Sequence, residues 1–331
     1  MRAVRLTHQA PIEEHPLEVV DLQRPEPSRG QLLLKVQLCG ICHTDLHTVE
    51  GDIHPPSLPV TPGHQVVGHV EALGEGVEGW QVGDRVGVPW LYDADGTCEF
   101  CRRGQENLCP EARFTGFDVD GGYAEAMLAS AEYALHLPQS LDDETAAPLL
   151  CAGIIGYRSL RQSELQPGER LGLAGFGASA HLAIQVARYW GCPVSVFTRS
   201  ENHRELALQL GAEWAGGADD EPPHPLDRIV TFAPVGTLIP KMLAKLRPGG
   251  TLAINAIHMS PIPEFGYDLI YGERTLRSVT NLTRQDGDEF LSLAAEIPIK
   301  PTVKMYSLAD ANQALEDLKH SRIDGAAVLQ P

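Results

Sequence analysis

A chain of 331 residues, 43% of them hydrophobic and 21% charged, is long enough for two domains, each with its own core. Its formal net charge of -18 repels phosphate backbones, so nucleic acid and anionic membrane are not expected as partners and an acidic soluble enzyme is. No apolar run approaches the length of a bilayer crossing, and the opening MRAVRLTHQAP lacks the apolar stretch of a signal peptide, so a cytoplasmic protein is expected. The seven cysteines are odd in number and clustered, a usage that in a reducing compartment suggests metal rather than disulfides.

Taken in chain order, the first 140 or so residues are rich in Gly, Pro and Val. Short alternating runs such as Gln31-Leu32-Leu33-Leu34-Lys35-Val36 and Gln65-Val66-Val67-Gly68-His69-Val70 predict β-strands of a barrel-like domain. From about Ala146 the texture changes. Leu171 to Ala174 is a predicted strand, Ala180 to Trp190 a helix, Val194 to Thr198 a strand and Arg204 to Leu210 a helix. Asp227 to Phe232 and Thr251 to Ile257, the latter after a turn at Pro248-Gly249-Gly250, read as later strands. Alternation at this spacing predicts a doubly wound parallel sheet. A helix over Asp310 to Lys319 and a strand over Ala326 to Leu329 close the chain. There is no internal repeat, only a loose Pro- and acid-rich patch at Asp219 to Pro225.

Two motifs carry chemistry. Gly175-Phe176-Gly177-Ala178-Ser179-Ala180 fits G-x-G-x-x-G/A directly after a strand and at the head of a helix, the context that makes it a dinucleotide fingerprint. Gly175 allows the tight turn, Gly177 lets backbone approach a pyrophosphate, and Ala180 permits close packing of helix on strand; Ala178 lies within the motif, ahead of a helix whose N-terminus faces the anion. The other is Cys39-Gly-Ile-Cys42-His43-Thr44-Asp45-Leu-His47, which finds partners in Gly63-His64-Gln65 and Leu150-Cys151-Ala152-Gly153.

This order resembles the catalytic-metal pattern of the zinc-dependent medium-chain alcohol dehydrogenases, and the resemblance covers essentially the whole chain. It implies an α/β protein with a GroES-like β-barrel catalytic domain, residues 1–154 and 283–331, and a Rossmann cofactor domain, residues 155–282. Cys42, His64 and Cys151 match the three ligands of the catalytic zinc, which acts as a Lewis acid on an alcohol or carbonyl oxygen. By the same resemblance Thr44 takes the alcohol proton, which passes by way of the cofactor ribose to His47 and so to water. Asp45 orients His64 on the metal, and His43 stands against the cofactor pyrophosphate. The plain alternative for His43 and His47 is a pair of surface histidines in a turn. One departure lies at Gln65, where the family usually has Glu; a neutral amide there removes one negative charge beside zinc.

Trp90 matches an aromatic that lines the alcohol pocket in relatives, the alternative being an indole that fills the barrel. Ile53 stands where some ethanol-specialised relatives carry Trp, so a wider pocket for primary aliphatic or aromatic alcohols and their aldehydes is expected. At the end of the second Rossmann strand, Thr198, Arg199 and Ser200 replace the acid that usually holds an NAD ribose, which favours NADP over NAD. Glu201 lies close enough to blur this. The segment Asp95 to Cys101 with Cys109 resembles the family's structural zinc lobe. Its first cysteine is replaced, leaving either a second zinc on Asp95, Cys98, Cys101 and Cys109 or a metal-free relic. The resemblance also implies a homo-oligomer, dimer or tetramer. The rival readings are a sugar or polyol dehydrogenase of the same superfamily and a non-catalytic zinc-ribbon protein with a nucleotide-sensing domain; the CHTDLH segment and intact Cys151 oppose the first, the complete ligand trio the second.

Overall fold

The apolar run after Gly30 becomes strand β1 (Gln31–Gly40) in the structure, a computed structural model that describes residues 1–331. It is longer than its alternation predicts because most of its residues on both faces are buried, so period-2 patterning is lost. Helix α1 (His43–Glu50) follows at once. Strand β2 (Val66–Leu73) returns antiparallel to β1, with Cys39 opposite Val66. The chain leaving β1 and the chain entering β2 therefore emerge side by side, tied by a bond from Gly40 N–H to Gln65 O of 2.8 Å. That register places Cys42 next to His64.

The chain forms two units, Met1–Ile154 with Asn281–Pro331, and Ile155–Thr280. In the first, a seven-stranded sheet is built round β1 and β2 and takes in the C-terminal strands Val303–Ser307 and Ala326–Gln330. Its core joins residues far apart in sequence, Leu32, Leu34, Val66 and Val86 with Leu315 and Leu329. Burial of such side chains, about 1.5–3 kcal/mol each, is what holds the chain's two ends in one unit.

The second unit carries β3 (Leu171–Ala174), α2 (Ala178–Tyr189), β4 (Val194–Phe197), α3 (Glu201–Gln209), β5 (Leu226–Thr231) and β6 (Leu246–Ile254). Its six-stranded sheet is parallel throughout and runs Trp214–Gly216, β4, β3, β5, β6, Thr275–Ser278. Strand order reverses between β3 and β5, the switch point where doubly wound sheets bind ligands.

Several bounds differ from the sequence reading. Helix α3 starts at Glu201 rather than Arg204 because Ser200 caps it, its Oγ accepting the His203 N–H at 3.3 Å. Strand β6 starts at Leu246 and runs through the expected Pro248–Gly250 turn, with a pairing shift opposite Leu226 and Arg228. The edge strands Trp214–Gly216 and Thr275–Ser278 were not predicted; both are too short to show a period. No helix is long and apolar enough to cross a membrane.

Candidate active site

Helix α1 begins at a cysteine sulfur. Cys42 is its N-cap, in extended conformation; its Sγ accepts the Thr44 N–H at 3.5 Å, and the Asp45 carboxylate returns to the Cys42 N–H at 2.9 Å. This reciprocal cap fixes the thiol and the carboxylate relative to each other before any metal is considered. Gly63, at φ +97, turns the chain into His64, and a Cβ there would stand 2.4 Å from the Tyr123 ring, so only glycine fits. His64 is buried and its Nδ1 lies 3.0 Å from Asp45 Oδ1. Its other ring nitrogen, Nε2, is buried without a hydrogen-bond partner.

Cys151 arrives on a single π-helical turn, Leu149–Gly153, a widened turn of the kind found at functional sites. Its Sγ is 3.9 Å from that of Cys42, against about 3.8 Å for two sulfurs on one tetrahedral zinc with bonds of about 2.3 Å. The ligand atoms of Cys42, His64 and Cys151 all lie within 4.8 Å of one another. An orphaned imidazole nitrogen beside two sulfurs at this spacing fits zinc. The charges of these groups bear on one another. A hydrogen bond from Cys151 holds the Cys42 thiol well below its ordinary range against the cost of burial, with His64 adding to the effect. The same thiolate, and burial, push Cys151 up. Burial alone would lower His64, but Asp45 outweighs it and lifts the imidazole to about 10.

The remaining predicted residues gather at the same end of the unit. The Thr44 hydroxyl is 3.6 Å from Cys42 Sγ. His47, one turn on, has its Nδ1 2.7 Å from Asp52 Oδ2. His43 is exposed, its ring centroid 6.4 Å from that of His47. Gln65 is buried with its side chain against Gly40, where a Cβ would come within 2.8 Å of it. Trp90 stacks on Phe114 at 4.6 Å and lies 5.9 Å from the His64 ring, its indole N–H shielded and without a partner. Ile53 is half-buried just past α1, its N–H bonded to His47 O at 3.3 Å. Asp52 and Tyr123 touch this constellation and were not singled out from sequence. Asp52 sits beyond the left-handed Gly51 that ends α1, and Tyr123 reaches Asp45 across 78 residues, so neither left a local signal.

In the cysteine lobe, the ligand atoms of Asp95, Cys98, Cys101 and Cys109 likewise lie within 4.8 Å of one another. Asp95 Oδ1 accepts the N–H groups of Thr97 and Cys98 at 2.7 and 2.8 Å, and these bonds, that from Cys98 first, hold its carboxyl far below the usual range. The carboxylate is thus charged and aimed at the thiols. Glu106, almost fully buried, accepts the Arg284 N–H at 2.8 Å and anchors the lobe to helix Arg284–Glu296.

In the second unit, Gly175 adopts φ +87 and a Cβ there would meet Ala233 N at 3.0 Å, while nothing lies within 4 Å of one built on Gly177. Gly177 caps α2 without a side chain, and Ala180 is fully buried beneath it. The first N–H groups of α2, opening at Ala178, therefore face an open surface suited to a pyrophosphate. Beyond β4, Thr198 O accepts Arg204 Nε–H at 3.0 Å, and Glu201 is paired with Arg204 at 3.3 Å. Arg199 is exposed and has no acidic partner; Ser200 is committed to its cap.

A zinc-type donor set in one unit and a dinucleotide-type glycine turn in the other define a class, the zinc-dependent oxidoreductases that work with a nicotinamide cofactor. Among known proteins, residues 28–139 match the alcohol dehydrogenase GroES-like domain and residues 180–296 the zinc-binding dehydrogenase domain. The chain is 49% identical to a probable alcohol dehydrogenase, AdhA, of Mycobacterium tuberculosis (strain CDC 1551 / Oshkosh), over 99% of this chain and 97% of that one. It is 36% identical to an alcohol dehydrogenase of Geobacillus stearothermophilus, over 95% of each. A cinnamyl alcohol dehydrogenase from Sorghum bicolor superposes with a TM-score of 0.90 at 30% identity, covering 99% of this chain and 97% of that one. The chain belongs to the zinc-dependent medium-chain alcohol dehydrogenase family and is an alcohol oxidoreductase.

Proposed function

We propose that the protein interconverts primary aliphatic or aromatic alcohols and their aldehydes with NADP(H), on a zinc held by Cys42, His64 and Cys151. The observation that carries this reading is the 3.9 Å separation of the two sulfurs beside the orphaned His64 Nε2. When bound, zinc supplies a Lewis acid for the substrate oxygen and the nicotinamide exchanges the hydride. The chain's own residues do the rest. Thr44, whose hydroxyl lies against Cys42, takes the alcohol proton, and His47 hands a proton to water while Asp52 holds its Nδ1. Trp90, beside His64, and Ile53 wall the substrate pocket. Gly175, Gly177, Ala178 and Ala180 shape the pyrophosphate seat, and the unpaired Arg199 with Thr198 and Ser200 favours a 2′-phosphate. A second zinc on Asp95, Cys98, Cys101 and Cys109 stiffens the lobe. The seven free cysteines suit a reducing cytoplasm.

The test is direct. Purified protein should change nicotinamide absorbance with a primary alcohol, and Cys42→Ala should lose one zinc per chain and about a thousandfold or more in rate, the equivalent of several kcal/mol. Near-normal turnover without that zinc overturns the assignment. A homo-oligomer is inferred from the sheet edge of the second unit. Strand Thr275–Ser278 is unpaired on its outer side, and Leu276 is exposed there, as are Tyr267 and Tyr271 just before it. Light scattering that gives a monomer, unchanged in Leu276→Asp, rejects it.

A further inference from the structure

We propose that Tyr123 is a positioning residue of the metal centre: its hydroxyl donates to Asp45 and fixes the carboxylate that orients His64. The proposal rests on the reading of Cys42, His64 and Cys151 as ligands of one metal. Asp45 is 2% exposed, so water cannot complete its hydrogen bonding. Four donors do. Oδ1 accepts the Gly63 N–H at 3.1 Å and the His64 Nδ1–H at 3.0 Å; Oδ2 accepts the Cys42 N–H at 2.9 Å and the Tyr123 O–H at 3.2 Å. A carboxylate has about four acceptor positions, and here each is taken. Three of the donors belong to the metal ligands or to the residue beside one, and Tyr123 alone comes from elsewhere in the chain.

The tyrosine is itself immobile. It is wholly buried, with Val4 N–H bonded to its carbonyl at 2.8 Å and its own N–H to Pro62 O at 3.0 Å. Its ring lies against Gly63, the residue before His64. Burial and the charge of Asp45 push its hydroxyl well above the ordinary tyrosine range, so it stays a donor. Losing that donor would leave Oδ2 of a buried anion with the Cys42 N–H alone and let the carboxylate turn, tilting the imidazole it holds.

Tyr123→Phe keeps the ring that fills the space against Gly63. Zinc-loaded wild type and variant are treated with an excess of chromogenic chelator, and the catalytic phase of metal release is recognised by its absence in Cys42→Ala. Release from Tyr123→Phe should be on the order of tenfold faster, the lobe zinc unchanged, and the visible bands of the cobalt(II)-substituted variant shifted. In an Asp45→Asn background, Tyr123→Phe should add nothing. Release and spectrum equal to wild type, or an undiminished effect in the Asp45→Asn background, overturn the role of Tyr123. A wild type that holds no metal at this site overturns the ligand reading instead.

Discussion

His47 Nδ1 and Asp52 Oδ2 stand 2.7 Å apart across the left-handed Gly51 that ends helix α1. The carboxylate commits Nδ1 of the histidine proposed to move the proton. His47→Gln should slow alcohol oxidation on the order of a hundredfold, with partial rescue by imidazole buffer. Asp52→Asn should slow it less and respond less to that buffer, since a base is still present. Steady-state rates across buffer concentrations decide it; a His47→Gln enzyme at wild-type speed with no buffer response makes His47 a bystander.

The lobe offers a second test. One carboxylate among three thiolates is a harder donor than zinc prefers, so the lobe zinc should yield to chelators more readily than an all-cysteine site. Metal analysis of gently prepared protein should find about two zinc per chain, and Asp95→Cys should slow chelation and raise the melting temperature. One zinc per chain and no response to the substitution would show a lobe held by packing.

At the end of β4, Arg199 is free while Glu201 is occupied by Arg204 at 3.3 Å. A guanidinium with no acid to neutralise it should favour NADP. Arg199→Asp is expected to lower kcat/KM for NADP by about tenfold to a hundredfold and to raise it for NAD. Higher wild-type efficiency with NAD reverses the assignment and points to Glu201.

Acid stability can be located in the second unit. Asp227, at the start of β5, accepts the Arg170 backbone N–H at 2.8 Å and Arg170 Nε–H at 2.9 Å, and pairs with Arg247 as well. Burial alone would raise its carboxyl, but these bonds outweigh it and hold it below the usual range. The stabilisation is present above the unfolded value of about 3.9 and is lost as pH falls through the lower folded value. Asp227→Asn should cost about 2 kcal/mol at neutral pH and flatten the loss of stability below about pH 4. Chemical denaturation at a series of pH values checks both, and parallel curves for the two proteins would exclude Asp227.

What was readable in the sequence was what is local. Cys42, Thr44, Asp45 and His47 share one short helix, and the Gly175 turn sits between a strand and a helix with clear periods, so residue type and spacing were enough. Asp52 escaped because its partner lies across a helix end, where no fixed spacing applies. Tyr123 escaped because only the fold brings it to Asp45. The π-helical turn under Cys151 has no pattern of its own; it is an ordinary apolar helix with one widened turn. Edge strands such as Thr275–Ser278 are too brief to show alternation.

The sulfur cap of α1 ties two things together that chemistry treats as separate. On the proposed reading, the atom that closes the helix's first turn is also a donor to the metal, and the Asp45 that completes the cap also steadies His64. The cap stands on hydrogen bonds between Cys42, Thr44 and Asp45 alone, so these residues themselves set the turn that carries Thr44. Damage to the helix start would in turn release a ligand. On the same reading, a substitution that opens the cap at Cys42 should cost the metal site and the placement of Thr44 together.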